Sequence, residues 1–216
     1  MSTKIKICCI QDINEAETAV SFGADAIGLV GKMPSGPGPI PDKQIKEIAE
    51  AVTPGIETFL LTSNISVDGI IEHYHRTNTT TIQIVDKLKY GTYRQIKEAL
   101  PHIRIVQVIH VLNEESVEEA ISISLSVDAL LLDSGNPNLK IKELGGTGRI
   151  HNWNLSRRIN ESVKCPVYLA GGLKPENVRY AIEAVNPYAV DVCSGVRTGG
   201  LLDAKKLEMF IKSIDT

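Results

Sequence analysis

The sequence predicts an α/β fold, a (β/α)8 or TIM barrel in which eight parallel strands close into a ring inside a layer of helices. First, strand-like and helix-like segments alternate eight times within 216 residues, which is at the lower end of the size range of this fold. Second, several strand segments are almost continuously apolar, as strands covered on both faces are: IRIVQVI, DALLLD and YAVDVC. Third, the first strand is followed by CIQDIN, whereas an open doubly wound sheet, the main alternative, often has a GxGxxG turn there.

The eight strand–helix pairs follow from apolar periodicity and from turn and capping signals. Strands are predicted at residues 4–9, 24–30, 57–62, 80–85, 103–109, 128–133, 166–170 and 188–193. Helices are predicted at residues 14–22, 43–52, 67–77, 93–100, 114–124, 152–163, 175–185 and 204–214. Gly23 ends the first helix, Asp42 is expected to cap the second, and Pro175 is expected in the first turn of the seventh. No linker or low-complexity segment divides the chain, so we expect one barrel domain over residues 1–216.

The composition argues against several classes of function. With 23 basic and 26 acidic residues the formal net charge is −3, and no dense run of lysine and arginine appears, so we expect no nucleic-acid partner. No stretch approaches the roughly 20 apolar residues that span a bilayer, and MSTKIKICCIQD lacks the apolar core of a signal peptide. We therefore expect a cytoplasmic protein without a membrane partner. The four cysteines include no CxxC pair, which favours reduced thiols over a disulfide framework or a zinc site.

Two reactive side chains lie where apolar strands end, on the face of a barrel that carries the chemistry. Side chains alternate along a strand, so Lys6 and Cys8 should point into the barrel and Cys9 towards the helices. Cys8 is either a base with a lowered pKa or a small buried apolar residue. Asp133 ends the strand DALLLD, where burial would raise its pKa and suit a general acid. Its alternatives are a helix cap or a solvated loop residue.

Glycine-rich segments follow the last two predicted strands. They are AGGLKPENV at 170–178 and CSGVRTGG at 193–200. In barrels the loops after strands seven and eight often bind phosphate through backbone N–H groups, and glycine allows the close approach. We therefore expect a phosphorylated small-molecule substrate. A third segment, GGTG at 145–148, is interpreted either as a mobile lid or as an ordinary long loop. His110, at the end of the fifth strand, is a weaker candidate for the mouth of the barrel.

Taken together, these motifs resemble the phosphoribosylanthranilate isomerase family of tryptophan biosynthesis. The resemblance rests on six segments in the family's order: KICC at 6–9, GADAIGLV at 23–30, LLLD at 130–133, GGTGRIHNW at 145–153, LAGGLKPENV at 169–178 and PYAVDVCSGV at 187–196. It implies an Amadori rearrangement of N-(5-phosphoribosyl)anthranilate to 1-(2-carboxyphenylamino)-1-deoxyribulose 5-phosphate. It further implies Asp133 as general acid, Cys8 as general base, no cofactor or metal, and a monomer or homodimer. The residues it implies for substrate and phosphate binding are Gly171, Gly172, Asp191, Ser194 and Gly195.

The chain departs from the family pattern at several points. Cys9 replaces a glycine, Cys193 replaces a serine, and QIVD at 83–86 replaces QLHG. The loop MPSGPGPIP lacks the arginine of the family's SPR segment. Two alternatives therefore stay open. One is a related sugar-phosphate isomerase with a different aglycone, and the other is a barrel that binds a phosphorylated ligand without turnover. Retention of Cys8 and Asp133 favours catalysis.

Overall fold

Eight parallel strands form a closed barrel in the computed structural model, which describes residues 3–215. The strands are β1 (Lys4–Ile7), β2 (Ala26–Val30), β3 (Glu57–Thr62), β4 (Thr81–Ile84), β5 (Arg104–His110), β6 (Ala129–Asp133), β7 (Val167–Leu169) and β8 (Ala189–Val192). The helices are α1 (Ile13–Ser21), α2 (Asp42–Ala51), α3 (Val67–Thr77), α4 (Tyr93–Ala99), α5 (Glu115–Ser124), α6 (Trp153–Ser162), α7 (Val178–Val185) and α8 (Ala204–Asp215). The predicted TIM barrel is confirmed. The predicted domain bounds at residues 1 and 216 lie outside the described residues.

The ring closes where β1 pairs with β8, which places Lys6 opposite Asp191 and Ile7 opposite Val192. Alternation along the strands separates two cores, because successive side chains point to opposite faces. Ile82 and Ile84 of β4 pack with the large cluster between strands and helices. A smaller cluster fills the inside of the barrel and includes Phe59. Among the described residues, no helix combines the length and apolar character needed to cross a membrane.

The predicted orientation of Cys9 is wrong. The ladder of β1 ends at Ile7, and the backbone of Cys9 adopts a left-handed conformation with φ of 63°. The prediction assumed that side chains alternate between the two faces up to Cys9. Alternation holds only for extended backbone, so it ends before this residue. The Cys9 side chain therefore packs inside the barrel with Cys8. A carbon added at Gly38 would lie 2.7 Å from Cys9 Cβ, so glycine is needed where the loop after β2 crosses this residue.

Two predicted helix starts are also corrected. Asp42 is the first residue of α2 rather than its cap, and it makes no capping hydrogen bond. Its carboxylate instead accepts hydrogen bonds from His73 Nε2 at 3.1 Å and Arg76 Nε at 2.6 Å, both on α3. Helix α7 begins at Val178, so Pro175 lies in a turn that precedes it. That turn is closed by side-chain hydrogen bonds of Asn177, which holds the loop after β7 in place.

Beyond β8, a short 3₁₀ turn (Ser194–Val196) leads into a hairpin of two strands, β9 (Arg197–Thr198) and β10 (Leu201–Leu202). Arg197 is buried and pairs with Glu15 of α1, with Nη2 and Oε2 2.7 Å apart. The same guanidinium donates to the carbonyl oxygen of Cys9. The segment after the last strand is thereby fixed to the segment after the first, at the end of the barrel where the strands finish.

Candidate active site

A cleft of about 720 Å³, including its open mouth, lies at the carboxyl ends of the strands. Strands far apart in the sequence supply its polar residues. Cys8 follows β1, Asp133 ends β6 and Asp191 lies on β8. The structure therefore brings together the two side chains predicted for acid–base chemistry, at the face where barrel enzymes carry their active sites.

Cys8 is 5% exposed and lies immediately above Gly28 of β2. A carbon added at Gly28 would be 2.6 Å from Cys8 Sγ, so a side chain at this position would displace the sulfur. A hydrogen bond from the Cys9 thiol and the positive charge of Lys6 lower the pKa of Cys8, although burial opposes the shift. A thiol with these neighbours is more readily ionised than an ordinary buried cysteine, and the thiolate is the form that can accept a proton.

Asp133 is 7% exposed, and one of its oxygens accepts a hydrogen bond from the backbone N–H of Gly135 at 2.8 Å. Neither alternative from the sequence describes it, since α6 begins only at Trp153 and the carboxyl group is buried. Burial raises the pKa of Asp133, while His110 and the Gly135 hydrogen bond partly offset the shift. A carboxyl group of raised pKa retains a proton more readily, which suits a general acid.

The glycine segments after β7 and β8 pack closely against each other and against the long loop after β6. Gly171 and Gly172 have φ values of 82° and 65°, in the region that favours glycine. A carbon at Gly195 would lie 2.0 Å from the carbonyl oxygen of Leu173, which leaves no space for any side chain. Gly171, Gly172 and Ser194 line the cleft, whereas Gly195 packs behind them. A backbone turn with these features provides a surface that an anion can approach closely.

Comparison with known proteins identifies the family. A family model described as N-(5'-phosphoribosyl)anthranilate (PRA) isomerase matches residues 5–213. The chain belongs to the phosphoribosylanthranilate isomerase family. An N-(5'-phosphoribosyl)anthranilate isomerase from Methanosarcina acetivorans is 33% identical, with 99% of this chain and 94% of the relative covered.

Solved structures of phosphoribosylanthranilate isomerases agree with the family model. The enzyme from Thermotoga maritima superposes with a TM-score of 0.82 at 28% identity, covering 99% of this chain and 98% of the other. A second isomerase structure, solved with reduced 1-(o-carboxyphenylamino)-1-deoxyribulose 5-phosphate, gives a TM-score of 0.79 at 26% identity with the same coverage. The family and the barrel fold inferred from the motifs are therefore confirmed, and the chain belongs to a family of enzymes.

Two of the departures from the isomerase family pattern, in the loop after β2 and the segment after β4, lie on the side of the cleft formed by β2 to β5. This side is apolar and is lined by Val30, Met33, Leu61, Val85 and Val108. Gln83 contributes an amide oxygen that is buried without a hydrogen-bond partner. Among residues 3–215, no lysine, arginine or histidine lines the cleft. Neither the loop after β2 nor the segment after β4 places an arginine or a histidine in the lining of the cleft.

Two loops of the isomerase barrel meet above the cleft. Ser35 Oγ, after β2, donates to the carbonyl oxygen of Lys142, after β6, at 2.6 Å. Lys142 also forms an ion pair with the buried Asp86 after β4. The segment 145–148 packs against Gly36 and Pro37 of the loop after β2 and lines the cleft. Whether it is a mobile lid or an ordinary long loop stays a prediction.

Two buried residues near the cleft were not identified as candidates from the sequence. Lys6 was recognised only as an inward-facing lysine, yet it is fully buried beside Cys8 and paired with Asp191. His151 lies against Gly171, and burial lowers its pKa to about 4, so it is neutral at physiological pH. Within the described part of the chain, no cluster of three or more histidine, cysteine, aspartate or glutamate side chains is placed to hold a metal ion.

Proposed function

We propose that this protein catalyses the isomerisation of N-(5-phosphoribosyl)anthranilate to 1-(2-carboxyphenylamino)-1-deoxyribulose 5-phosphate. One observation carries the proposal. A buried thiol whose pKa is lowered and a buried carboxyl group whose pKa is raised line one cleft, beside a glycine-lined surface suited to an anion. Pairs of groups whose environments move their pKa values in opposite directions are typical of acid–base catalysis.

The proposed reaction assigns one proton transfer to each group. Asp133 donates its proton to the ring oxygen of the ribose, and the ring C–O bond breaks as the amine nitrogen forms a Schiff base with C1. The Cys8 thiolate then removes the proton from C2, which gives an enol-amine. Transfer of a proton to C1 and loss of the enol proton produce the ketone. Substrate and product are isomers, so the sequence needs no oxidant, reductant or other co-reactant.

The phosphate group is proposed to bind at the backbone of Gly171, Gly172 and Gly195, and at both the backbone and the hydroxyl group of Ser194. Glycine at three of these four positions lets N–H groups reach the anion without side chains in the way. Asp191 was grouped with these residues on the resemblance, but a carboxylate can only accept hydrogen bonds from donors and repels a phosphate dianion. Its partner in the structure is Lys6, with Oδ1 and Nζ 2.9 Å apart. We therefore assign Asp191 to the ion pair rather than to the phosphate.

A fluorescence assay tests the proposal directly. Phosphoribosylanthranilate would be generated in place and its disappearance followed with and without the protein. The rate should increase in proportion to the concentration of protein. If no acceleration is seen although inorganic phosphate binds, the non-catalytic phosphate-binding barrel becomes the better description. The predicted cytoplasmic location and the choice between monomer and homodimer are not needed for this test and stay predictions.

Replacement of Ser194 by alanine tests the phosphate surface. We expect KM for the substrate to increase about tenfold, since a hydrogen bond to a charged group contributes about 1.5–3 kcal/mol. The value of kcat should stay within about twofold, because an anchor that binds substrate and transition state equally affects KM alone. The inhibition constant of inorganic phosphate should increase in parallel. An unchanged KM would remove Ser194 from the phosphate site.

A second candidate is an isomerase of the same chemistry whose aglycone is an aromatic amine without a carboxylate. The apolar, cation-free side of the cleft favours it, because a carboxylate buried among apolar groups costs free energy unless it is paired. We expect N-(5-phosphoribosyl)aniline to react with a kcat/KM within about tenfold of that for the anthranilate substrate. The same fluorescence or absorbance assay, applied to both compounds, distinguishes the two candidates. A preference of more than about a hundredfold for the anthranilate compound would favour the first candidate alone.

A further inference from the structure

The ion pair between Lys6 and Asp191 lies inside the barrel, next to the sulfur of Cys8. Lys6 is 0% exposed, its Nζ is 2.9 Å from Asp191 Oδ1, and it lies 5.0 Å from the centre of the Phe59 ring. Burying two charges is costly, and apolar residues of similar volume often serve stability equally well. Stability alone therefore does not account for a charged pair at this position.

The position of the pair relative to Cys8 is set by β1 and by the absence of a side chain on β2. Lys6 and Cys8 are two residues apart, and both project into the barrel. A carbon added at Gly28 would lie 2.6 Å from Cys8 Sγ and 3.1 Å from Lys6 Nζ, so both atoms border the same small space. No side chain from Gly28 lies between the ammonium group and the sulfur, and both Lys6 and Cys8 are buried.

The titratable groups around the sulfur come from three strands and the segments that follow them. Lys6 and Cys9 flank it along the chain, Asp191 and Cys193 approach from β8, and Asp133 faces the same cleft from β6. The Cys9 hydrogen bond and Lys6 lower the pKa of Cys8, whereas burial and the Asp191 carboxylate raise it. Burial by itself disfavours the ammonium form, yet the Asp191 carboxylate raises the pKa of Lys6 above its usual value. Lys6 is therefore a permanent cation at working pH, and a cation within a buried site stabilises a neighbouring thiolate.

We propose that Lys6, held in place by Asp191, is a positioning residue that keeps Cys8 in the thiolate form required of the general base. Lys6 touches no reacting atom in this scheme and acts only through the sulfur. The role of Cys8 as a general base, on which this inference rests, is part of the proposed function. The ionisation of Cys8 in the free protein, however, can be measured without any substrate.

The test is the pH dependence of alkylation of Cys8 by iodoacetamide, followed by mass spectrometry of the peptide that contains it. In the unsubstituted protein the midpoint should lie below the value of about 8.5 of an ordinary thiol. In the double variant Lys6→Met/Asp191→Leu, which replaces the pair by apolar side chains, the midpoint should move up by about half a pH unit, because the effect of Lys6 on the Cys8 thiolate is larger than the opposing effect of Asp191. Circular dichroism verifies that the variant is folded.

Lys4→Met is the matched control. Lys4 lies on the same strand at the opposite end of the barrel, and it forms a partly exposed ion pair with Asp25. Its midpoint should equal that of the unsubstituted protein. A folded double variant with an unshifted midpoint would overturn the inference. So would a midpoint at or above 8.5 in the unsubstituted protein, a result that needs no variant to fold. Failure of the proposed function would instead appear as a lack of turnover despite a lowered midpoint.

Discussion

Replacement of Cys8 by alanine is expected to reduce kcat for phosphoribosylanthranilate by about 10²–10⁴-fold, the usual contribution of a general base. The thiolate is the group proposed to remove the C2 proton, and alanine offers no acceptor. KM should change by less than about threefold, because the phosphate surface after β7 and β8 stays intact. Initial rates in the fluorescence assay over a range of substrate concentrations separate the two constants.

Cys165 provides the matched control for this substitution. It precedes β7 at the opposite end of the barrel and does not line the cleft. Cys165→Ala should retain the full rate. Cys8→Ser should be as inactive as Cys8→Ala, since a hydroxyl group is not ionised at neutral pH. Full activity in Cys8→Ala would remove the sulfur from the mechanism and leave the base unassigned.

Replacement of Asp133 by asparagine is expected to reduce kcat by a similar factor, about 10²–10⁴-fold. The amide has nearly the shape of the carboxyl group but cannot release a proton to the ring oxygen. It can still accept the hydrogen bond from Gly135 N–H, so the loop after β6 should keep its conformation. The variant should therefore bind inorganic phosphate with nearly unchanged affinity, as measured by calorimetry.

Asp128→Asn, at the start of the same strand, is the control for this second substitution. Asp128 accepts hydrogen bonds from Lys97 and from the backbone of Ile105 at the far end of the barrel. Its replacement can lower stability, but it should leave kcat within about twofold. If Asp133→Asn turned the substrate over at the full rate, the ring oxygen would have to receive its proton from another group or from water.

The two pKa shifts have a joint consequence for the working form of the protein. The proposed reaction needs a proton on Asp133 and a negative charge on Cys8 at the same time. With ordinary values the carboxyl group loses its proton long before the thiol does, so this form is rare at every pH. Raising the pKa of Asp133 and lowering that of Cys8 reduces the difference between the two pKa values. The fraction of molecules with a protonated Asp133 and an ionised Cys8 therefore increases. Burial raises the pKa of Asp133, and the Cys9 thiol together with Lys6 lowers the pKa of Cys8.

Much of the fold was predictable because its signals are local. The bounds of β3 and α3 were predicted to the residue. Ser66 caps α3 by accepting a hydrogen bond from Gly69 N–H, and Asn78 ends it in a left-handed conformation. Most other strands were predicted one or two residues too long, because the apolar alternation continues beyond the last ladder hydrogen bond. At the mouth of the barrel, residues such as Cys9 leave the ladder while the sequence pattern still indicates a strand.

The candidate site was predictable only in part, because its electrostatics depend on contacts between distant residues. The strand ends indicated Cys8 and Asp133 as candidates, which the structure places in one cleft, and the glycine segments indicated a candidate phosphate surface. That Lys6 meets Asp191 depends on the register with which β8 pairs to β1, and no local pattern encodes this register. The buried environment of Asp133 likewise depends on the long loop after β6, whose path the sequence did not indicate.

The pairing of β1 with β8, which closes the barrel, determines when the proposed active site is complete. Lys6 and Asp191 are separated by 185 positions, and Glu15 and Arg197 by 182. Closing so large a loop is among the slowest steps in forming such a topology. Asp191 is made near the end of synthesis. Lys6, beside the sulfur of Cys8, therefore stays without its ion-pair partner until nearly the whole polypeptide has left the ribosome. Acquisition of activity would then report completion of folding, and partly made chains would not act on the metabolite pool.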